Sequence, residues 1–201
     1  MSDANAAGFG GGFADPQPMT PADLEELIDL DATIEAAEAV HLDAGEPGET
    51  EPLARSWRLD VRPLDEPRVE PNRLEAQGDS SELHFLYKQV AGGTMDGTAW
   101  ILRVGGAPLA TLLAMPRDGE QSLELMDVRV DYDERRQGFG SALICALLAK
   151  AREDEAVRGV TASVAGDNVP AQRLLSSLDF NLIGIESGSR GVSLRWRLET
   201  A

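Results

Sequence analysis

The stretch "LELMDVRVDYDERRQGFGSALICALLAKARE", Leu123 to Glu153, constrains the fold more than any other part of the chain. Its first residues read as a strand ending at Val130, mostly apolar on both sides and therefore central in a sheet. Leu143, Ile144, Leu147, Leu148 and Ala151 then mark one face of a helix. Between them, Gly138 and Gly140 remove the Cβ atoms that keep a ligand away from the backbone. A helix start also presents unpaired N–H groups and a positive dipole end, and Arg135 and Arg136 add cations that suit phosphate oxygens. The junction therefore reads as a cradle for a polyanion, with an ordinary loop-to-helix turn as the alternative. Rival phosphate loops fit worse: G-x-x-x-x-G-K-[ST] occurs nowhere, and G-x-G-x-x-G fails because Leu143 stands where the third glycine belongs.

Element types alternate around this junction. "SWRLDVRPL", Ser56 to Leu64, sets Trp57, Leu59 and Val61 against charged residues and reads as a strand. "ELHFLYKQV" fits a strand or a short helix, and its aromatic content leans to strand. "TAWILRV" and "LATLLAM" around "GGAP" give a hairpin signal. The helix after Gly140 is expected to end near Gly159, before a buried strand "GVTASVA". "NVPAQRLLSSLDF", Asn168 to Phe180, spaces Ala171, Leu174, Leu175 and Leu178 as a second amphipathic helix with Pro170 in its first turn. "FNLIGIE" and "VSLRWRL" close the chain as a strand pair. The order implies an α/β fold, a mixed sheet layered with helices.

The net charge of −17 is unevenly placed. Residues 1–54 hold 13 acidic side chains and no Lys or Arg, whereas 55–201 hold 22 acidic against 18 basic. This divides the chain into an acidic N-terminal extension, 1–54, and a domain, 55–201. The first 20 residues, rich in Gly, Ala and Pro, are expected to be disordered. "TPADLEELIDLDATIEAAEAVHLD" reads as a helix within 20–43, from its Thr20 cap, Pro21 and early acids, and "AGEPGETEP" reads as a linker. That helix is a candidate for docking on a homodimer mate, on a protein partner or on the chain's own acceptor cleft; a solvated tail is the alternative. The acidity argues against nucleic acid, whose binders need a basic footprint to displace counterions. No run of about 18 apolar residues marks a membrane span. "MSDANAAGFGGGFADPQ" lacks the layout of a signal peptide, and the single Cys145 comes with no metal-type Cys/His spacing. A cytoplasmic protein without a metal is expected.

With these residues in view, the junction resembles the acetyl-CoA signature of the GNAT superfamily of N-acetyltransferases, [RQ]-x-x-G-x-[GA] after a strand ending in Val. Arg135, Gly138 and Gly140 match it, with Val130 at the expected offset. The family's second signature, roughly N-x-x-A-x-x-L-Y-x-x-x-G-F, is met by Asn168, Ala171, Leu174 and Phe180, with Leu175 for the tyrosine and Asp179 for the glycine. The match covers about residues 98–198, and Ser56–Leu64 would be the family's first strand.

The resemblance implies a mostly antiparallel central sheet flanked by helices and the transfer of an acetyl group from acetyl-CoA, the co-substrate, to a small-molecule or peptide amine. The pantetheine arm would pair with the main chain around Val128 and Val130. The pyrophosphate would sit on the N–H groups of Gln137, Gly138, Phe139, Gly140 and Ser141, flanked by Arg135 and Arg136, with Asn168 as a helix cap or cofactor contact. An alkyl ammonium is protonated at neutral pH, so a general base is needed. Glu124, eleven residues before Arg135, is the first candidate and Asp127 the second. Strict alternation separates these two on opposite strand faces, but a β-bulge, frequent here in the family, shifts that facing. Leu175 cannot donate the proton that the family's tyrosine gives to the leaving thiolate; Ser176, Ser177 and Tyr132 are the substitutes at hand. A catalytically weak acyl-CoA-binding module is the alternative function.

Overall fold

The computed structural model describes residues 15–27, 30–44, 57–70, 82–117, 119–188 and 191–200. Of the two segments read as unstructured, residues 1–14 of the expected disorder at 1–20 and residues 45–52 of the linker at 44–52 lie outside these, whereas Gln17–Pro18 pair with Ile101 and Trp100 and Met19 is buried, because the apolar Met19 anchors the segment on the sheet.

The hairpin signal becomes β4 (Thr98–Val104) and β5 (Ala107–Arg117), joined at Gly105–Gly106, and the apolar run before the cradle becomes β6 (Ser122–Val130). The helix of the cradle, α3, runs Phe139–Glu153. Its expected end near Gly159 comes six residues too late, because Asp154 is extended and accepts from the Ala156 N–H (2.9 Å), turning the chain. Then follow β7 (Gly159–Ala165), α4 (Val169–Ser177), β8 (Asn181–Gly188) and β9 (Gly191–Glu199).

The N-terminal half departs from its sequence reading. The helix expected within 20–43 is confined to α1 (Asp23–Glu26), where Thr20 donates to the Asp23 carboxylate, and residues Ile34–Ala44 form a strand, β2. Helix-favouring Ala and Glu yield there because β3 (Trp57–Glu70) offers a continuous antiparallel partner, a tertiary override of propensity. The two strands pair across the expected boundary at 54/55, so extension and domain share one ribbon. The strand read at Ser56–Leu64 is thus half of this ribbon and not the first strand of the main sheet; that edge is occupied by β1 (Gln17–Pro18), paired with β4. "ELHFLYKQV" is a helix, α2 (Glu82–Ala91), because Leu83, Leu86, Tyr87 and Val90 line one side and pack on a core.

The main sheet has the order β1-β4-β5-β6-β7-β9-β8, antiparallel except for β6–β7. One face carries the larger core, where Leu143, Ile144 and Leu147 of α3 and Leu175 of α4 meet Leu112, Leu125 and Val160. The other carries Met19, Leu24 and Leu27 with Tyr87 of α2 over Ile101 and Leu113. No described helix is long and apolar enough to cross a membrane.

Candidate active site

The parallel pairing of β6 with β7 runs only from Ser122–Gly159 to Leu125–Ala162. Beyond it the two strands diverge, and β6 bulges: Leu113 of β5 faces Asp127 whereas Ala114 faces Leu125, leaving Met126 as the extra residue. The divergence opens a cleft of about 850 Å³, lined by β6 from Leu125 to Val130, by Ala162–Val164 of β7 and by the facing ends of α3 and α4.

At one end of this cleft the chain turns through Tyr132–Glu134 into α3. Gly138, the N-cap of α3, has φ 94°, a left-handed conformation that favours glycine, and no side chain caps the helix. The first intrahelical bond is from Ala142 N to Gly138 O, which leaves the earlier N–H groups directed out of the helix end. Gly140 serves packing: a Cβ there would lie 3.2 Å from Leu174 Cδ2 and 3.6 Å from Val130 Cγ2. Arg136 (φ 66°) is exposed at the cleft, while Arg135 folds back, its Nε 3.3 Å from Val130 O and its guanidinium over the Tyr132 ring.

The opposite side of β6 is polar and shielded. The Asp127 carboxylate accepts from Tyr87 Oη (2.9 Å) and from Arg129 Nε (2.8 Å), both through Oδ2. Arg129 is 2% exposed in its side chain and Asp127 keeps 13%, and both line the cleft. Burial pushes the Asp127 pKa above the ordinary carboxylate value, against the lowering by Arg129 and by the Tyr87 hydrogen bond. Tyr87, fully buried, is raised well above its ordinary value, by burial first and then by the Asp127 charge.

The N-terminal ribbon closes the open end. Tyr132 N donates to Asp31 O (2.7 Å) and Val40 N to Gly166 O (2.8 Å), so residues 31–40 span from the end of β6 to the turn after β7. Ile34 and Glu35 face the cleft, and Glu38 pairs with Arg173 of α4 at 2.7 Å. Of the docking readings for the acidic segment, this geometry has it against the chain's own cleft.

Val128, Val130, Arg135, Arg136, Gly138, Phe139, Gly140, Ser141 and Asn168 all line the cleft. Gln137 does not; its amide donates to Glu134. Asn168 caps α4, accepting from Ala171 N at 3.2 Å. Asp179, in place of the motif glycine, has φ 63°. Glu124 lies outside the cleft lining and pairs with Arg117 at 3.4 Å. The bulge puts it on the same face as Asp127, with Leu123 and Leu125 against the larger core before the bulge and Val128 and Val130 after it. Among the substitute donors, the Ser177 hydroxyl is taken by Leu174 O (2.7 Å), Ser176 is exposed, and the Tyr132 pKa is raised by neighbouring Glu35. Sequence reasoning missed Tyr87, whose only local signal was its place in an aromatic run read as a strand.

No curated protein matches the chain significantly. Among solved structures, nourseothricin acetyltransferase superposes with a TM-score of 0.69 at 16% identity, covering 92% of this chain and 98% of that one. A putative streptothricin acetyltransferase from Bacillus anthracis str. Ames, solved in complex with acetyl coenzyme A, gives 0.67 at 14% identity with the same coverage. An IAA acetyltransferase from Bacillus cereus ATCC 14579 gives 0.51 at 15% identity over 60% of this chain and 86% of that one. The model of the Acetyltransferase (GNAT) family matches residues 61–180, more than half the chain, from within β3 through the cradle to Phe180 at the end of the second motif. The chain belongs to the GNAT acetyltransferase family.

Proposed function

We propose that this acetyltransferase moves the acetyl group of acetyl-CoA onto a primary amine by direct attack on the thioester, with Asp127 as the general base. The observation that carries the reading is the divergence of β6 from β7, which opens one cleft with a helix-end cradle at its mouth and a shielded carboxylate along its wall. The pantetheine arm pairs with β6 main chain between Met126 and Val130, where β7 no longer does. The pyrophosphate rests on the N–H groups at the start of α3, with Arg136 and Arg135 supplying charge.

An alkyl ammonium, with a pKa of about 10.4, must lose a proton before its nitrogen can attack. That proton passes to Asp127. The nitrogen lone pair then forms the N–C bond, and main-chain N–H near Val128 stabilises the tetrahedral oxyanion. The C–S bond breaks, the second N–H proton leaves to water, and the thiolate takes a proton from water, since Leu175 has none to give. Acetylated amine, CoA thiol and one released proton balance the reaction.

The place of Asp127 in the cleft lining, and the ion pair that ties Glu124 to Arg117, favour Asp127 over the sequence's first candidate. The lining also holds four arginines, but Arg135 and Arg136 sit at the cradle, Arg173 is paired with Glu38 and Arg129 with Asp127, so Glu35 is the acid left to meet a cationic acceptor. Steady-state thiol release with acetyl-CoA and spermidine, lysine or an alanyl peptide, together with calorimetric acetyl-CoA binding, tests the reading. Turnover with one amine class is expected. Tight acetyl-CoA binding without turnover on any of them would replace it with the acyl-CoA-binding module.

A further inference from the structure

We infer that Tyr87 is a positioning residue for the reaction: its hydroxyl pins Asp127 Oδ2 and leaves Oδ1 as the atom that takes the proton of the amine. The inference rests on the acetyltransferase reading above and names a group that neither motif contains.

Tyr87 sits on α2, forty residues from Asp127 in the chain, and its hydroxyl is 2.9 Å from Asp127 Oδ2 and 3.2 Å from Thr111 Oγ1. A carboxylate only accepts, so the single tyrosine proton points to Asp127 and the threonine hydroxyl is left to donate to the tyrosine oxygen. Arg129 Nε lands on the same Oδ2. Both hydrogen bonds made to Asp127 by the described residues thus end on one oxygen, which fixes the carboxylate plane and leaves Oδ1 for a ligand in the cleft that Asp127 lines.

The support is rigid. Tyr87 is completely buried, and Leu83, Leu86 and Val90 hold the same helix against the second core. Because burial and the neighbouring carboxylate keep the phenol protonated far beyond neutral pH, Tyr87 remains a donor wherever Asp127 works. Among the described residues, the ionisable groups on this carboxylate are Tyr87 from α2 and Arg129 from β6; Glu124, on the same strand, is occupied by Arg117 of β5.

The test uses the full chain with Tyr87→Phe, which keeps the ring and deletes the hydroxyl. With the best amine of spermidine, lysine and alanyl peptide, kcat is expected to fall about tenfold, as for loss of one hydrogen bond to a charged group. The amine KM and the acetyl-CoA Kd stay within about twofold, because no binding contact is removed. The acidic limb of the kcat–pH profile moves to higher pH, since a donor that favours the charged carboxylate is gone. Thr111→Val, which leaves Tyr87 on Asp127, shifts the limb the same way by less and serves if Tyr87→Phe does not fold. Leu86→Ala reports the structural alternative: it lowers the melting temperature with the limb unmoved. An unmoved limb in both Tyr87→Phe and Thr111→Val overturns the inference while leaving acetyl transfer standing. A wild type that binds acetyl-CoA yet releases no thiol removes the acetyltransferase reading, and this inference with it.

Discussion

The two faces of β6 are built by different means. Toward α3 the strand offers Val128 and Val130, and the glycine that lets the helix approach them, Gly140, comes ten residues after Val130. That side is apolar, made largely of backbone, and assembled from one continuous stretch of sequence. Toward α2 the strand offers Asp127 and Arg129, held by a tyrosine forty residues away and by a bulge that resets which side chains face which way. Cofactor recognition needs main-chain groups and a little charge, which a local motif can supply. Acid–base chemistry needs a carboxylate with a tuned environment, which only tertiary structure can supply.

Asp127→Asn strikes the second face alone and carries the largest expected effect. Asparagine keeps the volume and still accepts from Tyr87, so the loss falls on proton transfer: kcat should drop by about 10²–10⁴-fold, the usual worth of a positioned general base. The acetyl-CoA Kd should hardly change. Wild-type activity should rise as pH climbs through the Asp127 pKa, because the ionised form is the active one; burial raises that pKa, so the limb lies above the ordinary carboxylate position. A kcat–pH profile of the wild type, with the limb absent in Asp127→Asn, checks this.

Gly138→Trp strikes the first face. An L side chain at φ 94° is strained by about 1–2 kcal/mol, and an indole there fills the space in front of the helix end. Acetyl-CoA affinity should fall about 100-fold, which equals about 2.7 kcal/mol. Calorimetry gives the value directly, and unchanged affinity would remove the cradle from the site.

This asymmetry also explains what could be read in advance. The strand ending at Val130, the glycine-rich turn, the apolar faces of α3 and α4 and the Gly105–Gly106 hairpin are local patterns, and the structure has them where the sequence puts them. In the ribbon, the start of β3 was read as a strand but β2 was not legible, because Glu and Ala from 35 to 39 favour a helix until a strand from the far side of residues 45–56 pairs with them. Nor did the strand read at Glu82–Ala91 form: the aromatic residues suggested a sheet, but Leu83, Leu86, Tyr87 and Val90 have helical spacing, and helix α2 wins by burying Tyr87. The bulge left no signature in residue type, yet it decides that Glu124 and Asp127 share a face.

The smallest expected effect is the one that tests the comparison most closely. Glu124 has the sequence offset of a family base and shares the polar face, yet its carboxylate lies 3.4 Å from Arg117 and outside the cleft. Both partners of that pair keep more than a quarter of their side-chain surface exposed, 26% for Glu124 and 29% for Arg117. Pairs so placed contribute about 0–1 kcal/mol, so Glu124→Gln should lower stability by no more than that. On activity it should change kcat by less than about threefold at neutral pH, because a group outside the cleft contributes only through the field it exerts on the reacting atoms. Parallel kcat measurements on Glu124→Gln and Asp127→Asn decide the matter. If Glu124→Gln loses as much as Asp127→Asn, the proton leaves through both carboxylates and the two faces of β6 are less separate than their geometry implies. If it alone loses activity, the bulge has placed the wrong acid in the cleft and the sequence offset was the better guide.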